Sequence, residues 1–339
     1  MSRYIVRLFA FTLSIGLLAG TAHAQIPKFD ALYVFGDSIA DNGNDLAVAK
    51  LLGSDPPVPP SASPHRTYFN GRFSNGYVGV EHLWAALSGH APGSAEGLKP
   101  FLSQLLFPLG SAVDFAFGDT GTGLLDEVQG GVLLPGLKGQ VALYLSAPQP
   151  RRQPKRPLFV IITGSNDYGR DTPLPVARVV GNIVESVRAL YRNGARDVMV
   201  VNLPDLGLVP ANIGSSAAAT LVSFAHNQAL KNALDALDAE IPRLNIIQPN
   251  LVELFSLLPA SLNRVIPALD ALFVNVPLPP GFHMSACLFI DPLTCRDVPL
   301  ATFNAPLGFV FWDIVHPTAE VHRALGDYML ASLTEYYSH

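Results

Sequence analysis

Five short apolar runs, spaced by stretches of helical periodicity, leave this chain few ways to fold. They lie at residues 31–35, 113–117, 158–163, 197–203 and 244–248. The third, Leu158-Phe159-Val160-Ile161-Ile162-Thr163, is the most regular. Runs so short and so continuously apolar suit strands covered on both faces. Residues 45–52, 77–87, 139–145, 176–193 and 216–241 read as helices, and Gly194 and Pro242 mark the ends of the last two. Strands alternating with helices predict an α/β chain with a parallel sheet and helices on both faces. Residues 251–311 leave that rhythm. They are apolar and proline-rich, and suit either a lid or substrate-facing wall, or structural filling.

The polar turns after the first strands carry the chemistry. The first strand runs into Gly36-Asp37-Ser38. A serine on a sharp turn at a strand end exposes its hydroxyl as a nucleophile. Alone, the same turn suits an Asp or Ser helix cap. Ala40 stands where a G-x-S-x-G elbow needs glycine, so this is not a standard α/β-hydrolase. The second turn, Gly118-Asp119-Thr120-Gly121-Thr122-Gly123, lacks the Lys-Ser/Thr of a phosphate loop. Its glycines suit backbone N–H groups turned toward an anion, or a plain tight turn. The third, Gly164-Ser165-Asn166-Asp167, offers the Asn166 amide as a donor, or an Asx-turn. Near the end, Asp313 and His316 stand three apart. That spacing brings a carboxylate to an imidazole, the second half of a Ser-His-Asp triad, and also suits an ordinary capped turn. The loop of residues 68–76, with its aromatic side chains and Arg72, suits either the surface or a site wall. His226 reads as a packed or exposed helix residue.

Composition narrows the function. Residues 1–24 have the form of a secretory signal: Arg3 and Arg7, an apolar run, then Ala22-His23-Ala24. The alternative is an uncleaved anchor. Residue 25 is Gln, not Cys, which speaks against lipid attachment there. Without residues 1–24 the chain has 20 basic against 27 acidic residues and no basic patch, so nucleic acid is not an expected partner. Residues 25–339 are expected to form one domain. Cys287 and Cys295 are the only cysteines. In an oxidising compartment they are expected to pair rather than to hold a metal. No cofactor is expected.

The four polar blocks together resemble the GDSL lipase/esterases of the SGNH hydrolase superfamily. These blocks are Gly36-Asp37-Ser38 with Asp41, Gly43 and Asn44; Gly118-Asp119-Thr120; Gly164-Ser165-Asn166-Asp167; and Asp313-Ile314-Val315-His316-Pro317-Thr318. The segment from Gly71 to Gly76 also resembles larger members. The resemblance spans residues 31 to 335 and implies a flavodoxin-like three-layer α/β/α sandwich. It implies Ser38 as nucleophile, His316 as general base and Asp313 as its orienting carboxylate. The oxyanion donors it implies are the Ser38 and Gly118 backbone N–H groups and the Asn166 side chain. The expected substrate is a small-molecule or lipid acyl ester, met by a monomer in transient contact with a lipid surface. Acyl transfer, carbohydrate ester hydrolysis and a non-catalytic binding role on the same fold remain the alternatives.

Overall fold

The computed structural model describes residues 26–61, 67–128, 130–150, 152–257 and 310–339. The signal segment, Cys287, Cys295 and most of residues 251–311 lie outside them. In chain order the strands are β1 (Ala31–Gly36), β2 (Lys99–Pro100), β3 (Ala112–Asp114), β4 (Leu125–Val128), β5 (Val132–Pro135), β6 (Pro157–Ile162), β7 (Asp197–Val201) and β8 (Asn245–Ile247). The helices are α1 (Asn44–Leu52), α2 (Gly79–Ser88), α3 (Leu137–Ser146), α4 (Val176–Arg192), α5 (Ser216–Glu240), α6 (Leu251–Leu257) and α7 (Ala319–Ser338).

Alternation along the strands decides the layers. Leu32 and Val34 of β1 join one apolar cluster with Leu158, Val160 and Met199. Tyr33 and Phe35 join the other with Phe159, Ile161 and Val198. Helices α2, α6 and α7 cover the first face through residues such as Leu83, Leu254 and Met329. Helices α3, α4 and α5 cover the second. On α4, Val179, Ile183, Val187 and Leu190 recur at helical spacing and are buried. Each contributes roughly 1.5–3 kcal/mol by leaving water. The result is a three-layer α/β/α sandwich.

The sheet runs β2-β3-β1-β6-β7-β8, with every pairing parallel. From β1 the chain crosses to the edge strand β2, returns through β3 to lie beside β1, and then builds outward on the other side from β6. Such a reversal opens a crevice at the carboxyl ends of the strands flanking it. Ser38 follows β1 directly into that crevice. The end of β1 is held hard. The Gln140 side chain accepts from the Gly36 N–H at 2.8 Å and donates to the Gly36 carbonyl at 2.8 Å. A Cβ at Gly36 would collide with the Ile162 carbonyl of β6, so close approach of these two strands requires glycine there.

Two elements differ from expectation. The second strand ends at Asp114, yet Phe115 and Phe117 still donate to the carbonyls of Val34 and Gly36, at 2.8 and 3.3 Å. The β4–β5 hairpin was not foreseen. Leu125 and Leu133 stand exposed in it, so its apolar residues show no clean period of two.

Candidate active site

The turn after β1 places Ser38 with its backbone N–H free of any partner among the described residues. Asp37 supports the turn by accepting from the Ile39 N–H at 3.0 Å. Asp41 accepts from the Gly43 and Asn44 N–H groups at 2.7 Å each, and so caps α1. Asn44 reaches across to donate to the Asp114 and Ala116 carbonyls at 2.9 Å, tying this turn to the one after β3.

The imidazole that meets Ser38 arrives from the other end of the chain. Residues 312–316 form a tight loop closed by the Trp312 N–H donating to the His316 carbonyl at 2.7 Å. Pairing of Phe311 with Pro317 secures it. Within it, His316 Nδ1 lies 2.7 Å from Asp313 Oδ2, and His316 Nε2 lies 2.9 Å from Ser38 Oγ. A carboxylate can only accept, so Nδ1 carries the proton and Nε2 accepts from the serine hydroxyl. Burial pushes the Asp313 carboxyl up, but the His316 ring, the Tyr68 hydroxyl and the His316 N–H together hold it below the usual carboxylate range. It is therefore ionised wherever the imidazole works.

The loop of residues 68–76 faces this site. The Tyr68 hydroxyl donates to Asp313 Oδ2 at 2.7 Å. The Phe73 ring lies 5.0 Å from the His316 ring. Ser74 donates to the Pro317 carbonyl at 3.0 Å, and Asn75 accepts from the Ala319 N–H at 2.8 Å, so this loop also holds the start of α7. Arg72 turns away, into a buried pair with Glu81 at 2.6 Å. Aromatic and turn-forming composition was the only sequence signal for these roles, and it did not single out Tyr68.

Asn166 comes to the same cavity as Ser38 and His316, and one of its amide hydrogens goes to the Thr120 carbonyl at 2.9 Å. Asp167 beside it accepts from the Thr122 N–H and hydroxyl at 3.0 Å, locking the turns after β3 and β6 together.

Gly118 departs from its expected place. Its N–H donates to the buried Asp45 carboxyl at 3.1 Å, and it does not line the cavity at Ser38. Burial and the neighbouring Asp41 push the Asp45 carboxyl well above the usual carboxylate range. The residue of this turn that does reach the cavity is Asp119, with φ 58°. Its N–H has no hydrogen-bond partner among the described residues. His226, by contrast, is fully buried in α5 and bonded to the Tyr168 hydroxyl at 2.8 Å, as a packed helix residue.

The sequence profile of GDSL-like lipases/acylhydrolases matches residues 32–329. The chain belongs to this family. As a GDSL-like lipase/acylhydrolase it is a carboxylic ester hydrolase. It is 27% identical to a phosphatidylcholine-sterol acyltransferase of Aeromonas hydrophila over 94% of each chain. It is 26% identical to a GDSL esterase/lipase of Arabidopsis thaliana over 93% of this chain and 95% of that one. Among solved structures, a catalytic mutant of an acetylxylan esterase from Geobacillus stearothermophilus matches at TM-score 0.41 and 11% identity, over 90% of this chain and 94% of that one.

Holding Asp37 buried beside Ser38 costs stability. Burial pushes its carboxyl up to about 6, against the pull of the Ile39 N–H, the Ser165 hydroxyl and His316. The folded state therefore binds this proton more tightly than the unfolded chain. The resulting stabilisation is complete below the unfolded value near about 4, and is lost as pH rises through about 6. Asp37→Asn removes that dependence. Its Tm should gain on the parent's by several degrees between about pH 4 and pH 7, as expected for about 3 kcal/mol. Parallel Tm curves across that range would refute this.

Proposed function

We propose that this family member is an exported serine hydrolase that cleaves acyl esters through Ser38, His316 and Asp313 and an acyl-enzyme intermediate. The observation that supports this reading is the unbroken hydrogen-bonded series from Asp313 through His316 to Ser38 Oγ. As Ser38 Oγ adds to the ester carbonyl, its proton passes to His316 Nε2. The imidazolium forms against the Asp313 carboxylate. Collapse of the tetrahedral intermediate breaks the carbon–oxygen bond, and His316 returns the proton to the departing alcohol. Water then adds to the acyl-serine by the same path, and the acid is released.

The developing oxyanion needs donors fixed in place before the reaction. The free Ser38 N–H and the second hydrogen of the Asn166 amide are two. The third is the N–H of Asp119 rather than that of Gly118, whose hydrogen already goes to Asp45. Asn166→Ala should lower turnover about 10²- to 10³-fold with little change in KM. A loss under threefold would remove Asn166 from the oxyanion site. The form of residues 1–24 supports the proposed export, and cell fractionation with and without that segment tests it.

The direct test is hydrolysis of p-nitrophenyl esters, together with labelling by a fluorophosphonate and mapping of the labelled residue. A single adduct on Ser38 upholds the reading. A folded protein that neither hydrolyses nor labels would leave a binding role. The acyltransferase relative bears on the second half-reaction alone, since an alcohol entering where the first alcohol left would take the acyl group in place of water. Acyl transfer to added alcohol outrunning hydrolysis would reassign the chain to that activity.

A further inference from the structure

Two cavities meet at Asn166 and Val315, and they differ in size and lining. The smaller, about 300 Å³, contains Ser38 and His316, with Phe73 and Asp119 on its walls. The larger, about 560 Å³, runs between α5, α6 and α7. Its wall is mainly apolar, with Ile39, Leu203, Val222, Leu254, Phe255 and Phe311 among its residues. A volume in this range accommodates a sizeable ligand, and the lining suits an apolar one.

The chemistry at Ser38 assigns a side to each half of the ester. His316 Nε2 has to hand its proton to the leaving oxygen, so the alcohol lies on the His316 side, in the small cavity. The carbonyl oxygen faces the Ser38 N–H and Asn166. The acyl chain then extends past Ile39 and Asn166, which line the large cavity. Neither Ser38 nor His316 is part of that cavity's wall, so a chain lying there leaves the reacting groups clear.

Building on the Ser38 reading of the site, we propose that the large cavity receives the acyl chain, and that long-chain acyl esters are the preferred substrates. The small cavity takes the alcohol. The Asp119 carboxylate on its wall is exposed, and disfavours an anionic alcohol there.

Two measurements test the assignment. The first uses p-nitrophenyl acetate, octanoate and palmitate with the parent protein and with Val222→Trp, which fills the cavity from the half-buried face of α5. The parent should show a higher kcat/KM for octanoate and palmitate than for acetate. Val222→Trp should lower the octanoate value about a hundredfold and leave acetate within threefold. A parent that favours acetate, or a variant that hydrolyses both esters as the parent does, overturns the assignment. The second needs no substitution, and so stands even if the variant fails to fold. An octylphosphonate ester should label Ser38 of the parent at least tenfold faster than its methyl counterpart, whereas equal rates overturn the proposal. Labelling at Ser38 at any rate upholds the nucleophile, and its absence from both reagents defeats the reading of the site instead.

Discussion

Ser38→Ala lowers ester turnover about a millionfold, as removal of the nucleophile does where serine and histidine act as one unit. Among the described residues the Ser38 side chain makes one hydrogen bond, to His316 Nε2 at 2.9 Å. The turn around it is held by backbone bonds, by Asp37 and by the Gln140 clamp, none of which uses the hydroxyl. The variant should therefore keep its far-ultraviolet dichroism and its Tm within a few degrees, and lose phosphonate labelling. What activity remains comes from substrate binding and the oxyanion donors. Turnover above about one per cent of the parent's, in a preparation free of contaminating esterase, would show that another group attacks the ester.

The second large effect falls on Asp313→Asn, with turnover down about 10⁴-fold. The cause lies in the donors around this carboxylate. Oδ1 accepts from the Val315 and His316 N–H groups, at 2.7 Å each. Oδ2 accepts from the Tyr68 hydroxyl and from His316 Nδ1. An asparagine has one oxygen for these two sets. The backbone pair holds it, so the NH₂ group faces Nδ1, which must then accept. The imidazole proton moves to Nε2, where it blocks uptake of the Ser38 proton. The geometry survives and the tautomer is wrong. A loss of less than tenfold would mean that Asp313 does not set the tautomer.

Much of this was legible in the sequence. Continuous apolar runs reveal buried parallel strands because the covering helices leave neither face to water, and so β1, β6 and β7 lie close to where the pattern put them. Each functional block sits where a core strand ends or where the last helix begins, positions that hydrophobic periodicity locates. Finer features depend on which hydrogen bonds win in three dimensions. Gly118 was the natural donor in a glycine-rich turn until Asp45, 73 residues away, took its amide. Tyr68 meets Asp313 across a separation of 245 residues, and no local pattern announces that. The two cavities are shaped by helices packed against the sheet, and so exist only in the assembled fold.

Ser38 and His316 are 278 residues apart in the sequence. Until α7 has packed against α2 and brought the loop of residues 312–316 over β1, the serine is an ordinary alcohol, no more reactive than any other in the chain. On the proposed reading, a polypeptide still on the ribosome is thus chemically silent toward any ester around it. The proposed chemistry is deferred until α7 docks.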